Sequence, residues 1–320
     1  MNELFNLLSS SGSGCSIDIF YAGCFAYADD IFLLSASRTG LQDMLNIANR
    51  YVQAHNISFS TNKDSSKSRT KGIVFSRKKL NFDPEPLVLN NDKLPWVHQA
   101  KYLGNEIEDI PNGLSKDARI KRARFIEKNM EICQEFGYAH PEVKCKINSI
   151  YNSSFPGSVL FDVSSDSVKQ LVNSWSVSVR NMWNLPYNAH RYLIEQLAGE
   201  HAFSMLCIRF VKFMQNIQQS EKYAVQFMLR KVSSNLNTVT GRNLRYIQQK
   251  VGTEHDLLTV KPAWLKQKLK FFPIDNEDVW RVIVIKEVTN IIQNMLHLSE
   301  YDDFLTKEEL QDIIHYVSSN

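Results

Sequence analysis

The sequence predicts an α+β fold, with short hairpins in its N-terminal third and helices after them. Two observations carry this prediction. Residues 23 to 34 hold two short apolar runs on either side of Asp29 and Asp30, which is typical of a β-hairpin. From residue 115 onward, apolar residues recur every three or four positions, the period of helices packed on one side. The chain is 43% hydrophobic over 320 residues, enough for a sizeable core and about two domains.

Asp29 and Asp30 place adjacent carboxylates at the tip of the predicted hairpin. Neighbouring carboxylates repel unless a cation lies between them, and Mg²⁺ is held by one or two carboxylates plus substrate phosphates. Two such metals, about 4 Å apart, would suit nucleotidyl transfer. An ordinary polar hairpin turn with no catalytic role explains the same two residues, so both interpretations stay open. Tyr301-Asp302-Asp303 has no flanking apolar strands, and we assign it no chemistry.

The other N-terminal elements follow in order. A strand over 16 to 21 should lead into the hairpin, and a helix over about 40 to 55 should begin at a capping box, Thr39 to Gln42, and pack across the sheet. Strand-like pieces follow at 57 to 60 and 72 to 76. Two more, 94 to 97 and 100 to 105, predict a second hairpin that closes at Gly104.

Two stretches concentrate positive charge. Residues 57 to 79 hold seven basic residues and one acid, which suits a triphosphate or a nucleic-acid backbone. A predicted helix from 115 combines cations with one apolar stripe, formed by Ile120, Ala123, Ile126, Met130 and Cys133. It could lie along a nucleic-acid duplex. A simple solvated surface also explains each charge pattern, and these alternatives stay open.

The composition limits the partners and the cellular environment that we expect for the protein. Net charge is only +3, so nucleic-acid binding would depend on local clusters. The five cysteines are scattered, without a CxxC pair, which favours a reduced intracellular environment, nuclear or cytoplasmic. There is no signal-peptide pattern and no run of 18 apolar residues, so we expect no membrane contact.

The order of these motifs resembles the reverse transcriptases of non-LTR retrotransposons of the jockey-like kind. The similarity runs from Tyr-Ala-Asp-Asp through Phe59-Ser60-Thr61-Asn62 and a Lys-bearing loop to Leu94-Pro95-Trp96-Val97 and Lys101-Tyr102-Leu103-Gly104. It continues through Arg119 to Ile126, Phe155 to Ser158, Trp175 to Arg180, Asn184 to Pro186 and His190 to Tyr192, and covers residues 1 to about 250.

The resemblance implies an RNA-directed DNA polymerase that uses Mg²⁺ or Mn²⁺, an RNA template, a DNA primer and dNTPs. It implies a partial palm over 1 to 110, a thumb-like helical domain over 111 to 250, and a helical extension over 251 to 320. The implied roles are catalysis and metal binding for Asp29 and Asp30, nucleotide binding for Tyr27 and Lys67, primer binding for Trp96, Lys101, Leu103 and Gly104, and backbone contact for Lys63, Arg69, Lys71, Arg119 and Arg122.

The chain also departs from that family. A palm of this kind has a further catalytic Asp on an earlier strand, with fingers in front, and the acids before Asp29 are only Glu3 and Asp18. Asp18 precedes the hairpin directly, where the family's acid does not belong. We therefore expect a C-terminal polymerase fragment that binds metal weakly and does not extend a primer alone. The alternative is a non-catalytic nucleic-acid-binding or scaffold remnant. A helix near 279 to 298, apolar on two sides, should be buried or pack on a partner.

The basic clusters give the first prediction. The chain should bind nucleic acid without sequence preference, through residues 63 to 79 and 116 to 128. On B-DNA the slope of log K against log salt should be roughly −0.9 per neutralised phosphate, because counterions are released. Fluorescence anisotropy at several salt concentrations measures this slope. Affinity that is indifferent to salt, or that survives charge reversal of both clusters, contradicts the prediction.

Overall fold

A computed structural model describes residues 2–61, 69–76, 84–109, 115–187, 189, 191–253 and 256–269. They form two compact units. One contains the residues up to Lys116 and Glu221–Arg230, and the other contains Asp117–Ser220 and the described residues from Lys231 onward. The α+β class is confirmed, whereas the predicted domain boundaries stay predictions. The helix predicted near 279 to 298 and the second acidic pair lie outside the described residues.

The first unit alternates helices with small hairpins. In the described residues, each of its strands belongs to a two-stranded antiparallel sheet. In chain order the elements are α1 (Asn2–Ser10), β1 (Ser16–Ile17), β2 (Phe20–Tyr21), β3 (Cys24–Tyr27), β4 (Asp30–Leu33), α2 (Arg38–Ala54), β5 (Leu87–Leu89), β6 (Asp92–Leu94), β7 (Gln99–Tyr102) and β8 (Asn105–Glu108).

The predicted Asp-Asp hairpin is present as β3 and β4, and α2 packs against it. Cys24 of β3 is buried with Leu4 and Leu8 of α1 and with Met44 and Ala48 of α2. The prediction of a helix lying across the hairpin is therefore confirmed. The helix begins earlier than expected, because the Ser37 side chain accepts a hydrogen bond from the Gly40 amide and caps α2.

Two strand predictions are wrong. Residues 16 to 21 form the tight hairpin β1–β2, which turns at Asp18, a residue with φ of 51°. The pieces 94 to 97 and 100 to 105 do not pair with each other. Instead β6 pairs with β5 and β7 pairs with β8.

Turn chemistry explains the second error. The loops Asn90–Asn91 and Leu103–Gly104 have positive φ at both positions, the backbone of a two-residue hairpin turn. Each loop therefore closes its own hairpin and separates the two predicted pieces. The stretches 57–60 and 72–76 contain no regular strand. Gly72 makes only an isolated bridge to Trp96.

The second unit is helical where it is described. Its helices are α3 (Ser115–Glu135, which starts in the first unit), α4 (Pro141–Ile147), α5 (Asp166–Met182), α6 (Arg191–Ala198), α7 (Ala202–Gln218), α9 (Val239–Val251) and α10 (Pro262–Lys268); α8 (Tyr223–Ser233) lies mostly in the first unit. Val168, Leu171, Trp175 and Val179 of α5 recur at the helical period predicted from residue 115 onward, and all four are buried. Asn243 of α9 holds the turn before α5, because it accepts from the Val163 amide at 2.9 Å and donates to the Phe161 carbonyl at 2.7 Å.

The face that α3 buries is not the apolar stripe expected from the sequence. Ala123, Ile126 and Met130 are exposed, whereas Asp117, Lys121, Phe125, Asn129 and other residues of the opposite face are buried. The charged residues are tolerated inside because Lys121 pairs with Asp117, and its ammonium lies 5.2 Å from the centre of the Phe161 ring.

None of the helices in the described part of the chain is long and apolar enough to cross a membrane.

Leu103 gives a prediction about stability. It holds a φ of 45°, which is costly for a residue with a Cβ, and its side chain is 46% exposed. Leu103→Gly should raise the free energy of unfolding by about 1 kcal/mol. Leu103→Val should lower it, because a β-branched residue fits positive φ worse than leucine. Urea unfolding of both variants measures the pair, and two changes of the same sign contradict the assigned turn.

Candidate functional site

The hairpin β3–β4 has one face in the core and one open face. Directly opposed residues share a face, so Phe25 with Phe32 and Tyr27 with Asp30 lie on the side away from Cys24. The Phe25 and Phe32 ring centres are 6.5 Å apart, and Tyr27 is 67% exposed. Asp30 therefore lies beside aromatic side chains, on the face of the hairpin that is exposed to solvent.

Asp29 lies in the turn itself. The turn consists of Ala28, with φ of 53°, and Asp29, so Asp29 precedes the first paired residue of β4. Both aspartates are exposed. The tip of the hairpin thus presents two carboxylates, as the sequence predicted, but only Asp30 belongs to the aromatic face.

The hairpin β7–β8 meets this face through its last residue before the turn. The rings of Phe32 and Tyr102 lie 5.3 Å apart, centre to centre, and Tyr102 is followed directly by the Leu103–Gly104 turn. Two motifs that are distant in the sequence therefore come together. The Asp-Asp hairpin and the Lys-Tyr-Leu-Gly hairpin form a common surface, which we call the aromatic site and define by Phe25, Tyr27, Asp30, Phe32 and Tyr102.

Electrostatics also link the two hairpins. Burial raises the pKa of the Tyr102 phenol, and the nearby Asp30 carboxylate and Cys24 thiol raise it further. Asp30 thus lies close enough to oppose a negative charge on Tyr102. On the core side of the hairpin, burial raises the pKa of Cys24 to about 11, which keeps that thiol neutral at pH 7.

The residues present suit a weakly held divalent cation. Asp29 and Asp30 supply hard oxygen ligands, and Mg²⁺ commonly completes its shell with water and substrate phosphates. In the ranges that the structure describes, no three His, Cys, Asp or Glu side chains gather into a metal-binding cluster. Asp29 and Asp30 are the carboxylates that the tip of the hairpin exposes to solvent.

Trp96, predicted to bind the primer, is held by internal contacts. Its indole nitrogen donates to the Glu85 carbonyl at 3.1 Å, and its ring packs over Gly72, where a Cβ would come within 2.6 Å of it. The Gly72 amide donates to the Pro95 carbonyl at 3.0 Å. Trp96 therefore anchors the segment 69–76, whose Arg69 and Lys71 are exposed. Its role in primer binding stays a prediction.

The remaining predicted site residues are dispersed. Lys101 is exposed on β7 opposite Glu106, and Leu103 and Gly104 are exposed at the turn. Lys63 and Lys67 lie outside the described residues. Arg119 is exposed on α3, in the second unit. Arg122 of the same helix donates to Ser174 at 2.7 Å and to Gln170 at 3.3 Å, so α5 already uses part of its guanidinium.

Sequence reasoning omitted three members of the aromatic site from the predicted site residues. Phe25 and Phe32 alternate with core residues along β3 and β4, and this period of two could have placed them beside Asp30. Tyr102 could not have been placed in this way, because its contact with Phe32 joins separate sheets.

Comparison of the chain with known protein families finds no family that matches, and comparison with curated proteins finds no match.

The electrostatic contact gives a prediction. Asp30→Asn should lower the pKa of Tyr102, because the phenolate would no longer form beside a carboxylate. The Tyr102 ring signals in an NMR titration report this change. Asp43→Asn, at an exposed position of α2, is the control and should leave Tyr102 unaltered. An unchanged Tyr102 pKa in Asp30→Asn would show that the hairpins do not meet as described.

Proposed function

We propose that the aromatic site is the metal and primer end of a reverse-transcriptase palm, and that the chain serves RNA-directed DNA synthesis of the non-LTR, jockey-like kind. One observation carries the proposal. The Asp-Asp hairpin and the Lys-Tyr-Leu-Gly hairpin, the two motifs on which the resemblance depends most, lie together through Phe32 and Tyr102.

The chemistry of the surface agrees with this role. A divalent cation held by Asp29 and Asp30 would stabilise negative charge on a phosphate at the hairpin tip. Beside it, Tyr27 and Phe25 expose ring faces on which a base or sugar can stack. Stacking of a base on an aromatic side chain contributes roughly 1–3 kcal/mol and tolerates any sequence. In this proposal the hairpin tip would combine a cation, which binds phosphate, with rings, which orient a nucleotide.

Each unit exposes cations that are available to a nucleic-acid backbone. Arg69 and Lys71 lie in the segment 69–76, which Trp96 anchors, and Lys101 lies on β7 one residue before Tyr102. In the second unit, Arg119 is exposed on α3. In the proposed function these side chains contact phosphates of the template and primer, and their contribution decreases as salt increases.

The second candidate is a nucleic-acid-binding protein without catalysis. The exposed rings of Phe25 and Tyr27 and the exposed cations Arg69, Lys71 and Lys101 are the observations that favour it. Aromatic stacking and phosphate contacts do not require a metal. The two candidates differ in one property: the polymerase function requires a divalent cation at Asp29 and Asp30.

Paramagnetic broadening tests that property. Titration with Mn²⁺ should first broaden the amide signals of Ala28 to Ile31 and the ring of Tyr102, since Mn²⁺ suits carboxylate ligands and binds somewhat better than Mg²⁺. The double variant Asp29→Asn/Asp30→Asn should lose this effect.

The chain provides its own control pair. Asp302→Asn/Asp303→Asn removes the second Tyr-Asp-Asp sequence and should leave the broadening at the hairpin unchanged. Broadening that depends on Asp302 and Asp303 instead would show that the metal binds at the second acidic pair, and it would contradict the assignment to Asp29 and Asp30. No broadening at the hairpin, together with unchanged nucleic-acid binding, would favour the non-catalytic candidate.

A further inference from the structure

Helix α3 exposes an apolar stripe and buries charged residues on its other side. Ile126 is 37% and Met130 58% exposed, and Ala123 between Arg119 and Glu127 is exposed as well. On the inner side, Asp117 and Lys121 are buried as an ion pair. The inner side also buries the apolar residues Ala118, Phe125 and Ile132, so α3 is apolar on two sides. The outer stripe therefore indicates a surface that another molecule covers.

The charges along α3 are divided between its two halves. The N-terminal half exposes the basic side chains Arg119 and Arg124, whereas the C-terminal half carries Glu127, Glu131 and Glu135, with Lys128 as the one cation there. Lys128 is paired with Glu131 at 2.5 Å. The helix is therefore positive at its start and negative toward its end, and the apolar stripe lies across the change of sign.

The charges on α3 complement those on a second copy of the helix when the two copies run antiparallel. Arg119 and Glu127 each lie four residues from Ala123, about 6 Å along the axis, on opposite sides of it. When two copies of α3 cross antiparallel at Ala123, Arg119 of each copy lies opposite Glu127 of the other. Such an interface is symmetric, as the common twofold dimers are. The small Ala123 also lets the two helices approach closely, with Ile126 and Met130 packed on either side.

We propose that the stripe on α3 is a homodimer interface, formed by antiparallel pairing with a second copy of this chain. A nucleic acid fits the stripe less well. Glu127, Glu131 and Glu135 lie along the same half of the helix as Ile126 and Met130, and they would repel phosphates. A second copy instead brings its positive half to this acidic half.

The dimer should be weak. A contact between single helices buries less surface than the standard protein interface, so we expect a dissociation constant on the order of 10–100 μM. Sedimentation velocity of the full chain without nucleic acid, between about 1 and 100 μM, should show a mass that increases from one chain toward two.

Met130→Glu should raise the dissociation constant by at least about tenfold, because it places a charge in the apolar part of the interface. Val177→Glu is the matched control. Val177 is 50% exposed on α5 and also belongs to the second unit, and its substitution should leave dimerisation unchanged. Circular dichroism of both variants confirms that helix content is kept.

A charge exchange tests the register. Arg119→Glu alone and Glu127→Arg alone should each weaken the dimer by about tenfold, since each places like charges opposite each other twice. The double variant Arg119→Glu/Glu127→Arg restores both opposite-charge pairs and should return the dissociation constant to within about threefold of the original.

Three results would overturn the proposal. The chain could stay monomeric throughout the concentration range, or Met130→Glu could dimerise as well as the original chain. In the third result, the double charge exchange does not recover what the single variants lose. A monomeric chain whose affinity for an RNA–DNA duplex falls in Met130→Glu would identify the stripe as a nucleic-acid surface instead.

Discussion

The alternation of side chains along β3 and β4 is the constraint on which the first unit depends. The two-residue turn at Ala28 and Asp29 fixes the register, and the register places Cys24, Ala26, Ile31 and Leu33 toward one face. That face packs on α1 and α2. A slip of the register by one residue would turn Asp30 and Phe32 into the core and expose Ile31 and Leu33. The pairing of β3 with β4 that buries the core residues is therefore the same pairing that forms the aromatic site.

Packing below the hairpin in turn positions the surface above it. Helix α2 contributes to two adjacent cores. Met44 and Ala48 pack under β3 and β4, while Leu45 packs with Leu87, Leu89 and Leu94 of the next hairpin. Segments far apart in the sequence are thereby held on one helix. The ring contact of Phe32 with Tyr102 joins the β7–β8 hairpin to this arrangement, and there the Asp30 carboxylate adds to the effect of burial and raises the pKa of the Tyr102 phenol further.

The parts of the fold that the sequence predicts correctly are those with a local period. The Asp-Asp hairpin, α2, α5 and α7 each show their buried face as a repeat of two or of three to four residues. The pairing of β5 with β6 was missed because it depends on Asn90 and Asn91 at positive φ, a property of the turn and not of the apolar pattern. Helix α1 was missed too, since Leu4 and Leu8 form too short a repeat to stand out.

In the candidate site, too, the sequence predicts the residues that follow a local pattern but not those that depend on packing. Asp29 and Asp30 were predictable from their place between two apolar runs, and Phe25 and Phe32 from the alternation beside them. Tyr102 was not, because its position depends on how two hairpins pack. The inward face of α3 was equally hidden, since Lys121 is stabilised there by the ring of Phe161, a residue far along the chain.

Arg119 connects the two proposals for this protein. It is one of the exposed cations available to a nucleic-acid backbone, and it also lies at the edge of the stripe on α3. A side chain that pairs with Glu127 of a second copy is not available to a phosphate, so the two partners compete for it. Competition of this kind is governed by mass action. Under the two proposals, high protein concentration without nucleic acid favours the dimer, whereas nucleic acid that neutralises Arg119 shifts the chain toward the monomer. The sign of this linkage follows from the position of one arginine on α3.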